Sequence, residues 1–139
     1  MEALPVDPAI IDAAKALAAA IAVLPIAERV DALNAARAIL HEVSPFAGEP
    51  VDLVLWKTSD RIKANDYNPN AVAPPEMLLL RRSIEADGYT QPIVTSPTDS
   101  GDEIVDGFHR NRCGREVDAI RERVHGYLPI VVIPPDRQG

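Results

Sequence analysis

Cysteine, aromatic side chains and basic charge are all scarce in this 139-residue chain. Its one cysteine, Cys113, excludes an internal disulfide and a cysteine-based metal site, so we interpret it as a half-buried thiol on a helix. Aromatic residues make up 4%, so the core must be built mainly from Ala, Val, Ile and Leu. The formal net charge of −7 argues against a broad basic surface for duplex DNA.

Long apolar runs are missing as well. No stretch approaches the length of a membrane span, and Met1 is not followed by the basic and apolar regions of a signal peptide. We therefore expect no membrane association and a cytoplasmic location. The length and the ordinary balance of 47% hydrophobic and 25% charged residues suit one compact domain with a small appendage.

Residues 1–44 predict a helical hairpin. Asp7 and Pro8 signal a helix start, apolar residues then recur at helical spacing, and Pro25 begins a second helix. The alanine-rich faces of this hairpin are too small to be stable alone, so it must pack on the following domain or on a partner. Residues 45–50 contain two prolines and a glycine and are the predicted linker.

From residue 51 onward, short β-rich segments alternate with helical ones. This pattern predicts an α+β domain over residues 51–135, a small mixed sheet with packed helices, followed by a tail at 136–139. The predicted strands are 51–56, 92–95, 103–105 and 130–133, and the predicted helices are 75–86, ending at Gly88, one from about 108, and one around 119–124. A loop at 62–70 and a turn at 97–101 complete the prediction.

The turn Asp-Gly-Phe-His-Arg at residues 106–110 carries the clearest chemical signal. Gly107 lets the backbone approach a ligand, and the first amides of the following helix lie unpaired at the positive end of its dipole. His109 and Arg110 add donors, and an arginine can hold a phosphate through two parallel hydrogen bonds. Asp106 could hold a metal ion bound to the phosphates or orient a hydroxyl.

Taken alone, this turn also fits a helix cap followed by a solvated first turn. The loop before it, Ala-Asn-Asp-Tyr-Asn-Pro-Asn at residues 64–70, offers many donors and acceptors, but such residues are also common in simple turns. Neither element by itself decides between a structural and a ligand-binding role.

In their order along the chain, these elements resemble the N-terminal domain of ParB chromosome-partition proteins and the wider ParB/sulfiredoxin superfamily. The resemblance covers about 85 of the 139 residues, and its most specific pieces are Gly-Tyr-Thr-Gln-Pro-Ile-Val at 88–94 and the turn at 106–110. The loop at 64–70 and the Ala-Pro-Pro-Glu-Met at 73–77 resemble IbrB-type prophage co-activators. Those ParB-like proteins are paired with a partner similar to phosphoadenosine phosphosulfate reductases.

The resemblance implies a ParB/sulfiredoxin-like fold and a nucleotide ligand, namely ATP, ADP or CTP with Mg²⁺. The implied nucleotide- and phosphate-binding residues are Gly107, Phe108, His109, Arg110, Arg112, Asn65, Asn68, Asn70 and Gln91. If the protein is an enzyme, Asp66, Asp106 and His109 are the implied catalytic residues, and Asp106 is the implied magnesium ligand.

The family holds several activities, which the residues distinguish in part. Phe108 stands where sulfiredoxins carry their catalytic cysteine, which excludes that chemistry. We predict a nucleotide-binding accessory or regulatory module that acts with a partner protein. The alternatives are a free-serine-type small-molecule kinase or nucleotide hydrolase, a DNA-binding or nuclease-type ParB-like protein, and a structural adaptor. With eleven basic and fourteen acidic residues from Val51 onward, tight duplex binding by this chain alone is not expected.

Overall fold

The computed structural model of the chain describes residues 4–63 and 71–134. Two helices come first, α1 at Pro8–Ala22 and α2 at Ile26–His41. The Asp7 carboxylate caps α1 by accepting a hydrogen bond from the Ala9 amide at 2.9 Å, and proline occupies the first turn. Both predicted helices of the hairpin are present.

A five-stranded mixed sheet follows in the described part of the chain. Its strands, β1 to β5 in chain order, are Leu55–Thr58, Ile62–Lys63, Ile93–Thr98, Gly101–Asp106 and Tyr127–Val132. They lie in the order β1-β5-β3-β4-β2, with β1–β5 and β3–β4 antiparallel and β3–β5 and β2–β4 parallel. The predicted α+β class is confirmed.

Three further helices follow, α3 at Pro75–Asp87, α4 at Phe108–Glu116 and α5 at Asp118–Arg123. Helix α4 packs on β3 and β5, and α3 and α5 pack on α4 and on each other. Helix α3 begins with a proline and ends at Gly88, whose φ of 80° lies in the region that glycine tolerates best. The predicted start and end of this helix are confirmed to within one residue.

The core has two parts. One is formed by sheet residues, and the other by the helices α3, α4 and α5 together with Val117. The sheet part contains Ile62, Ile93, Ile104, Leu128 and Ile130, and the helical part contains Met77, Ile84, Cys113, Val117 and Ile120. Tyr89, in the segment between α3 and β3, packs against both parts. It therefore ties the helical layer to the sheet beside the turn at 106–110.

Cys113 is completely buried in the helical part of the core, rather than half-buried. Burial raises the pKa of its thiol, so the group stays protonated at neutral pH. The structural interpretation of this cysteine is therefore supported by its surroundings.

The predicted strand at residues 51–56 begins too early. Pro50–Asp52 is a 3₁₀ turn, closed by a hydrogen bond from the Leu53 amide to the Pro50 carbonyl at 3.2 Å. The strand starts at Leu55 because its backbone partners lie on β5, which itself begins at Tyr127 instead of residue 130. Long-range pairing, rather than local propensity, sets these boundaries.

The predicted turn at residues 97–101 is also too long. Pro97 and Thr98 belong to β3 and pair with Asp102 and Gly101 of β4. Only Asp99 and Ser100 separate the two strands, so a tight hairpin replaces the expected five-residue turn. Proline and small polar residues at 97–101 are typical of a turn, and only the pairing with β4 shows that the first two belong to a strand.

The apolar face of α1 is only partly covered. Ile21, beside the connection to α2, is buried, whereas Ile10 and Leu17 are 62% and 45% exposed. Helix α2 is joined to the edge of the sheet, because the Asn34 side chain donates to the Trp56 carbonyl at 2.8 Å and accepts from its amide at 3.1 Å. Across residues 4–63 and 71–134, no helix has the length and apolar character needed to cross a membrane.

Candidate functional site

The turn at residues 106–110 connects the end of β4 to the start of α4. Gly107 has a left-handed conformation, with φ 94° and ψ 31°, and its amide donates to Asp106 Oδ1 at 2.8 Å. No side chain caps α4, and its first turn closes with a hydrogen bond from the Asn111 amide to the Gly107 carbonyl at 2.9 Å. The amides of the first turn therefore face outward without helical acceptors, an arrangement that favours an anion.

The guanidinium of Arg110 folds back over this turn. Its Nη1 atom lies 3.2 Å from the position that a Cβ on Gly107 would occupy, and its Nη2 atom donates to Gln91 Oε1. Gln91 and Arg110, which the resemblance assigned to one site, are thus in direct contact. Arg110 makes no ion pair with residues 4–63 or 71–134, so no described carboxylate neutralises its charge.

A pocket of about 180 Å³ opens beside Arg110. Its polar lining residues are Ser83 on α3, Tyr89, Thr90, Gln91 and Arg110, with Leu80 and Ile84 completing the wall. Hydroxyl, amide and guanidinium donors therefore converge on one space, as expected for a site that binds an oxyanion such as phosphate.

Tyr89 lines this pocket and holds two of its walls in contact. Its hydroxyl donates to the main-chain carbonyl of Arg110 at 2.8 Å, and its ring meets Trp56 edge to face with centroids 6.4 Å apart. Burial raises the pKa of the Tyr89 hydroxyl, which therefore keeps its proton and remains a donor. Tyr89 fixes the first turn of α4 relative to the end of α3.

Sequence reasoning missed Ser83, Tyr89 and Thr90 as members of the site. A signal was available for two of them, because Tyr89 and Thr90 directly precede Gln91 and follow the glycine that ends α3. A helix end followed by polar residues is a common way to build a binding loop. Ser83 lies within α3, and nothing local in the sequence distinguishes it from other exposed helix residues.

Two other arginines near the turn are held by carboxylates. Arg112 pairs with Glu116 and also donates to the Ala71 carbonyl, and Arg121 pairs with Asp118 at 2.6 Å. Arg112, which the resemblance assigned to phosphate binding, is thus engaged within the protein, and it is not among the residues that line the pocket.

Two further arginines between residues 110 and 123, Arg115 and Arg123, donate to main-chain carbonyls. Arg115 contacts the carbonyls of Ser59 and Ile62 at 2.5 and 2.6 Å. Arg123 contacts those of Ile84 and Glu85 at 2.6 and 3.0 Å and so satisfies the end of α3. Both side chains tie distant segments together.

Asp106, Phe108 and His109 are exposed on the outer side of the turn and do not line the pocket. The other assigned positions, Asn65, Asp66, Asn68 and Asn70, lie outside the described residues. The structure therefore brings Gly107, Arg110 and Gln91 together, and it places Asp106 and His109 next to them on the surface.

Within the described residues, no group of three or more His, Cys, Asp or Glu side chains is arranged to hold a metal ion. Asp106 offers one carboxylate, of which Oδ1 already accepts from Gly107. Mg²⁺ that is bound mainly by phosphates and water needs only one or two carboxylates from the protein. The described residues therefore form no dedicated metal site, and one carboxylate would suffice only for an ion that a ligand carries.

Comparison with known proteins gives the following similarities. The chain is 50% identical over 118 residues to the uncharacterized protein YbdM of Escherichia coli (strain K12), a match that covers 84% of this chain and 56% of that protein. The chain thus spans little more than half the length of this relative. No protein-family model matches.

Three solved structures overlap with part of the chain. Truncated ParB from Caulobacter crescentus, crystallised with CTP-γ-S, matches with a TM-score of 0.43 and 22% identity over 60% of this chain and 46% of that one. Truncated SbnI from Staphylococcus aureus matches with a TM-score of 0.48 and 18% identity over 64% and 34%. Sulfiredoxin from Arabidopsis thaliana matches with a TM-score of 0.44 and 13% identity over 58% and 84%. These partial overlaps decide neither the ligand nor the activity of this chain.

Proposed function

We propose that this protein is a ParB-like nucleotide-binding accessory or regulatory module that holds a ligand phosphate between Arg110, Gln91 and the start of α4. The observation that carries the proposal is the set of contacts that the Arg110 guanidinium makes. Its guanidinium lines a polar pocket and contacts a neutral amide, with no ion pair to the described carboxylates. A cation that the fold positions and that no described carboxylate neutralises is suited to an anionic ligand.

The rest of the pocket supports the same ligand class. Ser83 and Thr90 bring hydroxyl groups to the space that Arg110 and Gln91 line, and the uncapped start of α4 lies beside Arg110. At about 180 Å³ the pocket is smaller than the roughly 300–1,000 Å³ usual for whole ligands. The pocket would therefore hold the phosphates, with the base of the nucleotide outside it.

Asp106 and His109 are proposed to contact the ligand outside the pocket. Both lie on the exposed side of the turn, where Asp106 would contact a magnesium ion carried by the nucleotide and His109 would contact an outer phosphate. The nucleotides proposed are CTP, ATP and ADP. The identification with ParB-like proteins comes from the sequence motifs at 88–94 and 106–110.

The accessory role rests on the sequence resemblance to IbrB-type co-activators. By that resemblance the proposed partner is a protein similar to phosphoadenosine phosphosulfate reductases. The exposed apolar residues of α1, such as Ile10 and Leu17, are compatible with a protein partner at the helical hairpin.

Nucleotide titration with a parallel assay of turnover tests the proposal. Calorimetry with CTP, ATP and ADP, each with and without Mg²⁺, should give saturable binding to the full chain, and the same samples should release no phosphate or phosphorylated product. Binding with product would establish the kinase or hydrolase alternative instead. If none of the three nucleotides binds, the proposal is wrong and the structural adaptor is the alternative that remains.

Duplex DNA is not the proposed ligand of this chain alone. Of the five arginines between residues 110 and 123, Arg112 and Arg121 are paired with acids, while Arg115 and Arg123 donate to carbonyls. We expect at most nonspecific affinity, about 10⁻⁴–10⁻⁶ M at physiological salt. Fluorescence anisotropy with random and genomic duplexes at fixed salt would reveal any submicromolar, sequence-dependent complex that contradicts this.

A further inference from the structure

A second cavity, of about 250 Å³, lies between α2 and the sheet. Helix α2 contributes Val30, Leu33 and Arg37 to its lining, and β1 contributes Trp56. The remaining wall, at the end of α5 and the start of β5, is formed by Arg123, Val124, His125 and Tyr127. This cleft is separate from the Arg110 pocket, with which it shares no lining residue.

The two walls of the cleft are joined to each other. Asn34, on α2 between Leu33 and Arg37, makes two hydrogen bonds with the backbone of Trp56, at 2.8 and 3.1 Å. These bonds cross from the helical hairpin to the edge strand of the sheet. The cleft is therefore a preformed space rather than a gap between independent parts.

The cleft has an apolar interior with aromatic surface. Val30, Leu33 and Val124 line it together with the rings of Trp56 and Tyr127. Trp56 is the one tryptophan in a chain with only 4% aromatic residues, so two aromatic rings in one cleft are a notable concentration. Such walls favour a flat apolar group.

The cleft contains basic side chains and no carboxylate. Its eight lining residues include Arg37, Arg123 and His125 and no acid, although the chain has 21 acidic and 14 basic residues. Arg123 already donates to the carbonyls of Ile84 and Glu85. Arg37 makes no ion pair with residues 4–63 or 71–134, so its guanidinium is available to a ligand.

We propose that this cleft binds a small organic anion with a flat apolar body, of the aromatic carboxylate class. The ring would lie against Trp56 and the carboxylate would face Arg37. The volume is somewhat below the roughly 300–1,000 Å³ of pockets for drug-sized ligands, which limits the occupant to one or two rings. The proposal does not depend on nucleotide binding, because the two sites have different walls.

The test uses 2-naphthoate and its neutral counterpart 2-naphthamide with the full chain. Because Trp56 is the only tryptophan, its indole N–H gives a single NMR resonance that reports on the cleft. Naphthoate should shift this resonance with a dissociation constant of about 1 mM or tighter, which is ordinary for a ligand of this size. Naphthamide should bind roughly 5- to 10-fold more weakly, because it gains no charge-assisted contact with a partly exposed guanidinium.

Two variants and one control make the assignment specific. Arg37→Gln should remove the preference for the acid over the amide, whereas Arg82→Gln, an exposed arginine on α3, should leave it unchanged. Val30→Phe should fill the cleft and abolish binding of both compounds. If Val30→Phe fails to fold, the Arg37→Gln variant, changed at an exposed residue, still tests whether the ligand binds in this cleft.

Three results would overturn the proposal. One is an indole resonance that does not move up to about 10 mM naphthoate, well above the expected dissociation constant. Another is equal affinity for acid and amide in the wild-type protein, and the last is an unchanged preference for the acid in Arg37→Gln.

Discussion

The guanidinium of Arg110 approaches Gly107 so closely that a side chain there would crowd it. A Cβ added at residue 107 would lie 3.2 Å from Arg110 Nη1 and 3.2 Å from the Cα of Ile93. Gly107 also has a φ of 94°, which side chains of L-residues rarely adopt. Glycine at residue 107 therefore allows both the left-handed backbone conformation of the turn and the close approach of Arg110.

Gly107→Ala should lower stability and displace Arg110. The left-handed conformation alone costs about 1–2 kcal/mol for a residue with a Cβ, and contact with Ile93 adds to that. Gly126→Ala is the matched control, since Gly126 has φ 79° and a Cβ there would meet nothing within 4 Å. Denaturant unfolding should show a larger loss for Gly107→Ala, and only this variant should lose nucleotide affinity. Equal losses with unchanged affinity would contradict the packing argument.

Arg110→Ala should weaken nucleotide binding by about 1.5–3 kcal/mol, the range for hydrogen bonds to charged groups. Arg110→Lys should give an intermediate loss, because lysine keeps the charge but not the two parallel donors. Arg82→Ala, on the exposed surface of α3, serves as the control. Calorimetry measures all three affinities, with circular dichroism to check folding. A folded Arg110→Ala protein of wild-type affinity would place the ligand elsewhere.

Tyr89→Phe should reduce stability by about 0.5–1.5 kcal/mol, since it removes the hydrogen bond to the Arg110 carbonyl. Tyr127→Phe should have a smaller effect, because the Tyr127 hydroxyl makes no hydrogen bond with the described residues. Chemical unfolding of both variants measures the difference. A Tyr89→Phe protein as stable as wild type would show that the bond contributes nothing net.

Asn34→Ala should destabilise the protein by about 1–3 kcal/mol, because two backbone groups of Trp56 in a part-buried region lose their partner. The same reasoning predicts that residues 51–139 alone are less stable or less soluble than the full chain. Thermal melting and size-exclusion chromatography of both proteins test this. A truncated protein that melts at the wild-type temperature and stays monodisperse would make the helical hairpin an independent appendage.

Acid should weaken the contact between α2 and the 3₁₀ turn at Pro50–Asp52. The hydrogen bond from His41, at 2.7 Å, and a second from Ser44 hold the pKa of Asp52 below its usual 3.8. A carboxylate with a lowered pKa stabilises the fold above its unfolded pKa, and that contribution is lost as the pH falls further. The melting temperatures of wild type and Asp52→Asn should therefore differ most above about pH 5 and converge below about pH 4. A difference that grows towards low pH would contradict the assignment.

Helix boundaries in this protein follow from local sequence. Pro8 and Pro75 lie in the first turns of α1 and α3, and Gly88 ends α3 with a positive φ. The predicted glycine turn at 107 is present for the same reason. These signals act through the backbone of the residue itself and its neighbours within one helical turn, so they can be recognised without any knowledge of the fold.

Strand boundaries could be predicted only approximately. The strand β1 starts at Leu55 and β3 continues through Thr98 because β5 and β4 supply their hydrogen-bonding partners. Those partners lie elsewhere in the chain, and in the case of β1 they are 69 to 75 residues away. Turn-forming residues such as Pro50 and Pro97 are compatible with more than one local structure until the partner strand is in place.

The sequence by itself determined the helices and the glycine turn at 107, and the family resemblance assigned Gln91 and Arg110 to one candidate site. The tertiary structure decided which arginines near the turn are paired with described carboxylates or carbonyls and which is not. Arg110 lies over a glycine beside a neutral amide, whereas Arg112 meets Glu116 and Arg123 meets the end of α3. All three are the same residue type, two on α4 and one at the end of α5, and only folding brings the groups that contact them within hydrogen-bonding distance.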